Sequence, residues 1–502
     1  MKDNVKDKLL YYILYVTALG ARAFFFLAVD VRDHFLKYPE FACRLAQGED
    51  MGERILDVSP FYLAYMTQAI KLFNPSLTAL ELFQLFIGIL NCVLIFSLGK
   101  RILPRPAAFI GAMLYALCGN IIVLESTFEP LVFEIFFSLC CLLFLVFGMQ
   151  SNGAGQRPWR FFALSGLFAG LCVVTKPNFL LFFLVALAWI IWIMPGPRGF
   201  QKRAGWAAAF FMCALAVIGP CTLRNYIVFH DFVMVTADWG KVFYHGNAQG
   251  ADGFHFVNIS REGYTPEGPP APDPDHAVFR QKARKLAGRH LSPSEAADFW
   301  VKKALDDILR HPRQALMLEF RKLRLFFHDY EIYLIVVAYN KYRRSLAYPF
   351  LRYGIISSLA LLGMMLAARR GREVFLLHGA VAACLVSGLI FMVTSRYRAP
   401  AVPYLCLFAG YAIHWLFSAA RQKKIAGTLA GVVLLCGLLY ANNLTFRNEI
   451  ACLDAELMSY YKEHADYRDG VLRSMSQERM PDPLENRAGP LGQTPPLLPR
   501  AK

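Results

Sequence analysis

Lys176 stands in the turn Thr175-Lys176-Pro177-Asn178, between two apolar runs. Arg396 and Arg398 fall in a second short turn, Ser395-Arg396-Tyr397-Arg398-Ala399-Pro400, and Arg224 follows Gly219-Pro220 at the end of another apolar run. A cation near mid-bilayer costs ~2.5–3.5 kcal/mol on insertion scales, and less near an interface, so such groups have partners. A single one reads as a side chain snorkelling to lipid phosphate. Four on one side point instead to an anionic ligand, a phosphate at membrane depth, which guanidinium grips bidentately.

Carboxylates collect on the same side. Asp30 and Asp33 follow the first apolar run, and Glu125 and Glu129 share the turn Leu124-Glu125-Ser126-Thr127-Phe128-Glu129-Pro130. Two readings of Glu125 and Glu129 stand open. They neutralise the nearby cations, or one of them takes the proton of a substrate hydroxyl, which requires an approach of ~2.6–3.2 Å. Arg22, inside the first run, reads as structural and turned toward the bundle interior. The chain has no Walker loop, His-Glu-x-x-His or Gly-x-Ser-x-Gly. Asp306-Asp307 reads as a solvated face, and His34, His245 and His328 are too scattered for a metal site. No cofactor is implied, and a divalent metal has no support.

The elements that must hold these groups are membrane spans. Of 502 residues, 56% are hydrophobic and only 18% charged, where soluble chains carry about a quarter. Apolar runs near the ~20 residues that cross a bilayer recur at about 9–29, 78–98, 106–124, 130–148, 160–175, 178–195, 205–223, 346–367, 374–394, 399–418 and 425–442. They predict an all-α polytopic membrane protein of about eleven spans, with no cleavable signal. The formal charge of +16 suggests nucleic acid only until its placement is read. Lys2, Lys6 and Lys8; Lys100, Arg101 and Arg105; Arg157 and Arg160; Arg198, Lys202 and Arg203; Arg369, Arg370 and Arg372; and Arg421, Lys423 and Lys424 fill alternate connections. That set is cytoplasmic by the positive-inside rule, with the N-terminus.

Two long polar stretches, 30–77 and 224–345, then lie outside, together with residues 443–502, whose Pro-rich end from about 480 reads as disordered. Residues 1–442 form the membrane module. Ser292-Pro293-Ser294-Glu295 is a capping box that opens a helix through about Arg310. Ala315 to Tyr330 is amphipathic, a helix of the outer interface or an ordinary surface helix. Cys140 and Cys141 read as small core residues, while Cys43, Cys221 and Cys452 fall on the outer side and could oxidise.

A pattern now stands out. Asp33, Tyr38, Ala42 and Gly48 precede Ser59-Pro60-Phe61-Tyr62; Gly166-Leu167-Phe168-Ala169-Gly170-Leu171 leads to Thr175-Lys176-Pro177; Arg224-Asn225-Tyr226, Asp238-Trp239-Gly240, Tyr244-His245-Gly246-Asn247 and the Arg396–Pro400 turn follow in order. From the first span to about Ile425 the chain resembles bacterial GT-C glycosyltransferases of the family 39, protein-mannosyltransferase-like type, a superfamily that includes the aminoarabinose transferase of lipid A. The resemblance implies a GT-C-like bundle with long periplasmic loops in the bacterial inner membrane. It implies transfer of a sugar from a polyprenyl-phosphate donor to a periplasmic acceptor: a glycan, a lipid or a protein. Asp33 would be the general base, with Asp30 as rival and His34 where the spacing from Tyr38 and Ala42 places the family's acid. Glu129, or Glu125, would be the second-loop acid. Lys176, Arg224, Arg396 and Arg398 would neutralise the departing lipid phosphate, and Tyr38, Tyr62, Asn225 and Asn247 would complete the substrate site.

The physics of the donor agrees with that assignment. A polyprenyl phosphate is a membrane-embedded anion, so its binding groups must be cations near the interface, and preorganised positive charge stabilises the leaving group. No Asp-x-Asp element for a nucleotide sugar is present. A transporter or flippase, or a ligase moving a whole lipid-linked polymer, would also use cations among helices. Transporters, however, show internal repeats and broken midplane helices, and no repeat is found here.

Overall fold

A computed structural model describes residues 2–28, 37–73, 76–151, 157–194, 199–254, 275–329, 351–368, 370–372 and 374–443. Asp30, Asp33 and His34 lie outside the described residues, as do Cys452 and the rest of the tail. The chain divides into two compact units, Met1–Thr445 and Phe446–Lys502, and the second is wholly outside the description.

The described residues are almost entirely helical. In order they form α1 Lys2–Ala28, α2 Lys37–Ala46, a 3-10 turn Gly52–Asp57, α3 Pro60–Phe73, α4 Leu77–Ile102, α5 Arg105–Ala116, α6 Gly119–Ser126, α7 Leu131–Gln150, α8 Pro158–Thr175, α9 Leu180–Ala188 and α10 Phe200–Phe229. The interrupting polar stretch holds α11 Trp239–Asn247, α12 Asp275–Ala287, α13 Pro293–Arg310 and α14 Pro312–Phe327. Then come α15 Tyr353–Ala367, α16 Phe375–Ile390, the single turn α17 Ser395–Arg398, α18 Val402–Arg421 and α19 Ile425–Asn443.

Among the described residues seven helices are long and apolar enough to cross a membrane, and three shorter apolar ones lie at 177–193, 353–367 and 375–390. The chain is thus a multi-pass membrane protein, and two of the eleven expected spans are not single regular helices. The expected span at 106–124 is broken between α5 and α6, because Leu117 and Cys118 leave helical geometry and the Leu117 carbonyl accepts the N–H of Leu351 at 3.0 Å. The expected span at 178–195 opens in a 3-10 turn and closes in a π turn, Trp189–Ile193. The exposed apolar faces of α1 (Tyr12, Tyr15, Leu19), α10 (Phe211, Met212, Leu215) and α19 (Leu429, Val433) are surfaces that hydrocarbon would cover.

Close approach of helices carries the packing. A Cβ on Gly166 of α8 would sit 2.0 Å from the Phe210 carbonyl oxygen of α10, and one on Gly170 would sit 2.8 Å from that of Ala214. Only glycine lets the two backbones meet there, the usual small-residue solution where the hydrophobic effect does not drive helices together. In the polar stretch, Ser292 and Glu295 cap α13 reciprocally, by bonds of 3.3 and 3.0 Å, as the capping box requires.

Candidate functional site

The site grows from the turn before α7. Gln84 of α4 donates to the backbone carbonyls of Glu125 and Thr127 at 3.1 and 2.9 Å, and Tyr62 of α3 donates to the Gln84 side-chain oxygen. Tyr38 of α2 meets Tyr62 edge to face with ring centroids 4.8 Å apart, and its hydroxyl accepts the N–H of Ser59 at 3.0 Å. Phe41, Met66, Phe128 and Val132 bury the junction of α2, α3 and α7 in one apolar cluster. Tyr38 and Tyr62 therefore act as pillars that fix the turn.

Glu129 leaves this fixed turn and accepts a hydrogen bond of 2.6 Å from Nη1 of Arg396 on α17. Burial, reinforced by the Glu129 carboxylate nearby, pushes the Tyr38 phenol up. Lys176 follows α8, which ends there because the residue before Pro177 takes an extended conformation, φ −149° and ψ 110°. Its ammonium lies 4.9 Å from the centre of the Tyr397 ring.

Lys176, Arg396 and Tyr397 line one cavity with Glu134 and Ser138 of α7, Phe179, Phe182, Ala380, Ala383, Cys384 and Ser387 of α16, and Tyr404 of α18. It holds about 510 Å³ of unfilled space, part of it open to solvent. Its walls are mainly apolar and its charges few, the composition of a site for an amphipathic ligand. Asp238 accepts from the Thr236 hydroxyl at 2.7 Å, and its charge reaches Lys176, Tyr38 and Asp57. Asp57 is buried against Arg280 of α12, and burial pushes its carboxyl up to about 6.

Several residues expected at the ligand face elsewhere. Arg398 is two positions from Arg396 on a helical turn and so points to the opposite side. It donates to the carbonyls of Leu325 and His328 at 2.9 and 2.6 Å and lies 4.0 Å from the Tyr353 ring, tying α14 to α15. Arg224 contacts the Asn225 amide oxygen at 3.1 Å and the Phe229 ring at 5.1 Å. Asn225 holds the Val233 carbonyl at 3.0 Å, and Asn247 is spent on Phe243, Ile390 and Lys322. Glu125 is fully buried and bound by Arg22 at 2.9 and 3.0 Å and by the Tyr115 hydroxyl at 3.1 Å. None of these five lines the cavity.

Glu134, Asp238 and Gln84 were not singled out as site residues from sequence. Glu134 could have been: a carboxylate inside Leu131-Val132-Phe133-Glu134-Ile135 is as costly in lipid as the cations that drew attention. Among the described residues no group of three or more His, Cys, Asp or Glu could hold a metal, and Cys221 is a free thiol.

Residues 57–222 match the family model described as dolichyl-phosphate-mannose-protein mannosyltransferase. The matched segment is about a third of the chain. It spans the turn at Asp57, the pillar Tyr62, both carboxylates of the α7 head and Lys176, and the GT-C resemblance read from the sequence holds. Arg396 lies outside the matched segment. No curated protein matches the chain. Among solved structures, the chain is similar to an oligosaccharyltransferase of Archaeoglobus fulgidus in complex with zinc and sulfate, at 14% identity and TM-score 0.48, covering 86% of this chain and 52% of that one. The archaeal oligosaccharyltransferase AglB from Archaeoglobus fulgidus, in complex with an inhibitory peptide and a dolichol-phosphate, matches at 13% identity and TM-score 0.48, covering 87% and 55%. ArnT of Cupriavidus metallidurans bound to undecaprenyl phosphate matches at 14% identity and TM-score 0.36, covering 82% and 79%. The chain spans about half the length of the archaeal proteins.

Proposed function

We propose that the protein is a membrane glycosyltransferase that moves a sugar from a polyprenyl-phosphate donor to an acceptor hydroxyl on the extracytoplasmic side. The observation that carries this is the shared cavity of Lys176 and Arg396 beside apolar Phe179, Phe182, Ala380 and Ala383. An anion with a hydrocarbon tail needs cations and an apolar cleft together. Named functions of the relatives, which include a complex with dolichol-phosphate and one with undecaprenyl phosphate, support the same ligand class.

In this reading the acceptor oxygen attacks the anomeric carbon, the carbon–oxygen bond to phosphate breaks, and the sugar inverts. Polyprenyl phosphate leaves with its charge beside Lys176 and Arg396, where preorganised cations are worth most. The acceptor's proton passes to a carboxylate, Asp33 or its rival Asp30. Glu129 orients Arg396 from the cavity's edge. The sugar, and the choice among glycan, lipid and protein acceptors, belong to pocket shape.

The test is transfer in vitro from a labelled polyprenyl-phosphate sugar. Lys176→Met and one of Asp33→Asn and Asp30→Asn should each lower kcat/KM by roughly two to three orders of magnitude, the scale for losing a charge-stabilising or proton-accepting group. Transfer that survives Lys176→Met, or that survives neutralising Asp30, Asp33 and Glu129 in turn, overturns the mechanism.

A further inference from the structure

Glu134 is only 6% exposed, it borders the cavity, and its carboxylate makes no hydrogen bond to another described residue. A carboxylate so placed is unfavourable unless a charge answers it. The charge that reaches it is Lys176. Lys176 has its own difficulty. It is half-buried beside Arg396, a like charge, on a flexible four-carbon stem that would otherwise snorkel to water or lipid phosphate.

Resting on the donor reading above, we propose that Glu134 is the positioning residue of Lys176, holding its ammonium turned into the cavity before the anion arrives. The head of α7 then supplies a carboxylate to each cation, Glu129 to Arg396 in direct contact at 2.6 Å and Glu134 to Lys176, which the charge of Asp238 also reaches. The second pairing acts through the cavity without a direct ion pair among the described residues. That difference has a use. A cation aimed by a carboxylate it does not touch stays free to meet an incoming phosphate, whereas a locked pair would first have to break. The Tyr397 ring, 4.9 Å from the ammonium, packs beside it and limits where Lys176 can swing. Below Glu134 the polar groups are already satisfied: Tyr404 donates to Ser138 at 2.9 Å, and Ser138 to the Ile135 carbonyl at 2.9 Å.

Binding of undecaprenyl phosphate to the full-length protein in nanodiscs decides the matter, with thermal unfolding as the control for folding. Glu134→Gln should weaken binding roughly tenfold, the scale of a coupled charge pair, and Glu134→Asp should lie between Gln and the native protein. On a Lys176→Met background, Glu134→Gln should cause no further loss. Binding by Glu134→Gln within twofold of the native protein overturns the proposal, as does an equal loss with and without Lys176. If Glu134→Gln does not fold, Glu134→Asp is compared in the two backgrounds by the same criterion. If Lys176→Met alone leaves binding unchanged, the donor reading fails and this proposal falls with it. If Lys176→Met weakens binding and Glu134→Gln does not, only this proposal fails.

Discussion

At the scale of single residues, buried charge sorts into pairs with different tasks. Arg22 and Glu125 are 1% and 0% exposed, and Gly88 makes room for them, since a Cβ there would lie 2.3 Å from the Glu125 carboxylate. Removing one partner strands the other in the bundle, so Arg22→Leu should destabilise the protein by about 3–5 kcal/mol, and a double change with Glu125→Leu should recover part of the loss. Unfolding in detergent measures both; equal stability of Arg22→Leu and the native chain would remove the pair from the list of structural supports. His245 and His328 act in the opposite sense to an ion pair. Burial holds them neutral, lowering their values to about 3 and about 4, with Lys241 adding to the effect at His245 and Arg398, Arg324 and Arg352 at His328. The unfolded chain takes up protons near pH 6.5 and the folded chain does not. Stability from both groups is therefore full above about pH 6.5 and is lost as pH falls toward 4, at a rate on the order of 1 kcal/mol per pH unit for each group. His245→Gln should flatten that acid slope in melts taken between pH 7 and 4.5.

At the scale of elements, what was legible depended on how far apart the deciding residues lie in sequence. The capping box of α13 was readable because its four residues are adjacent. The end of α8 at Lys176 was readable because Pro177 alone sets it. The break between α5 and α6 was not, since its partner Leu351 is more than two hundred positions away. The choice between Arg396 and Arg398 was hidden for another reason. Both break the same cost rule, and only the register of a four-residue helix decides that one meets Glu129 and the other the carbonyls of α14. The glycines of α8 were legible as a pattern, and the structure supplies their partner. Gly166→Val would press into the Phe210 carbonyl, so α8 and α10 must separate. The expected loss is about 1–3 kcal/mol, typical of overpacking, with a lower melting temperature in detergent. Gly205, which has open space around its backbone, should tolerate Ala.

At the scale of the whole molecule, the side of the membrane proposed for the cavity rests on charges far from it. Arg160 and Arg421 stand at the ends of α8 and α18 opposite to those beside Lys176 and Arg396, and Lys100, Arg101 and Arg203 stand at single ends of α4 and α10. In the proposed orientation the positive-inside rule puts these basic ends in the cytoplasm and the cavity on the outer side, where the proposed donor would be presented. The rule weighs many weak contributions, so it is robust to single changes but open to a direct test of each end. Arg289, 61% exposed in the polar stretch, and Arg421, exposed at the end of α18, mark the two sides. In intact spheroplasts, Arg289→Cys should react with a membrane-impermeant maleimide above the level of the unsubstituted chain, and Arg421→Cys should react only after the membrane is permeabilised. The reverse pattern would place Lys176 and Arg396 on the cytoplasmic face. A polyprenyl-phosphate sugar presented outside could not then reach them, and the cations would have to serve a donor on the other leaflet.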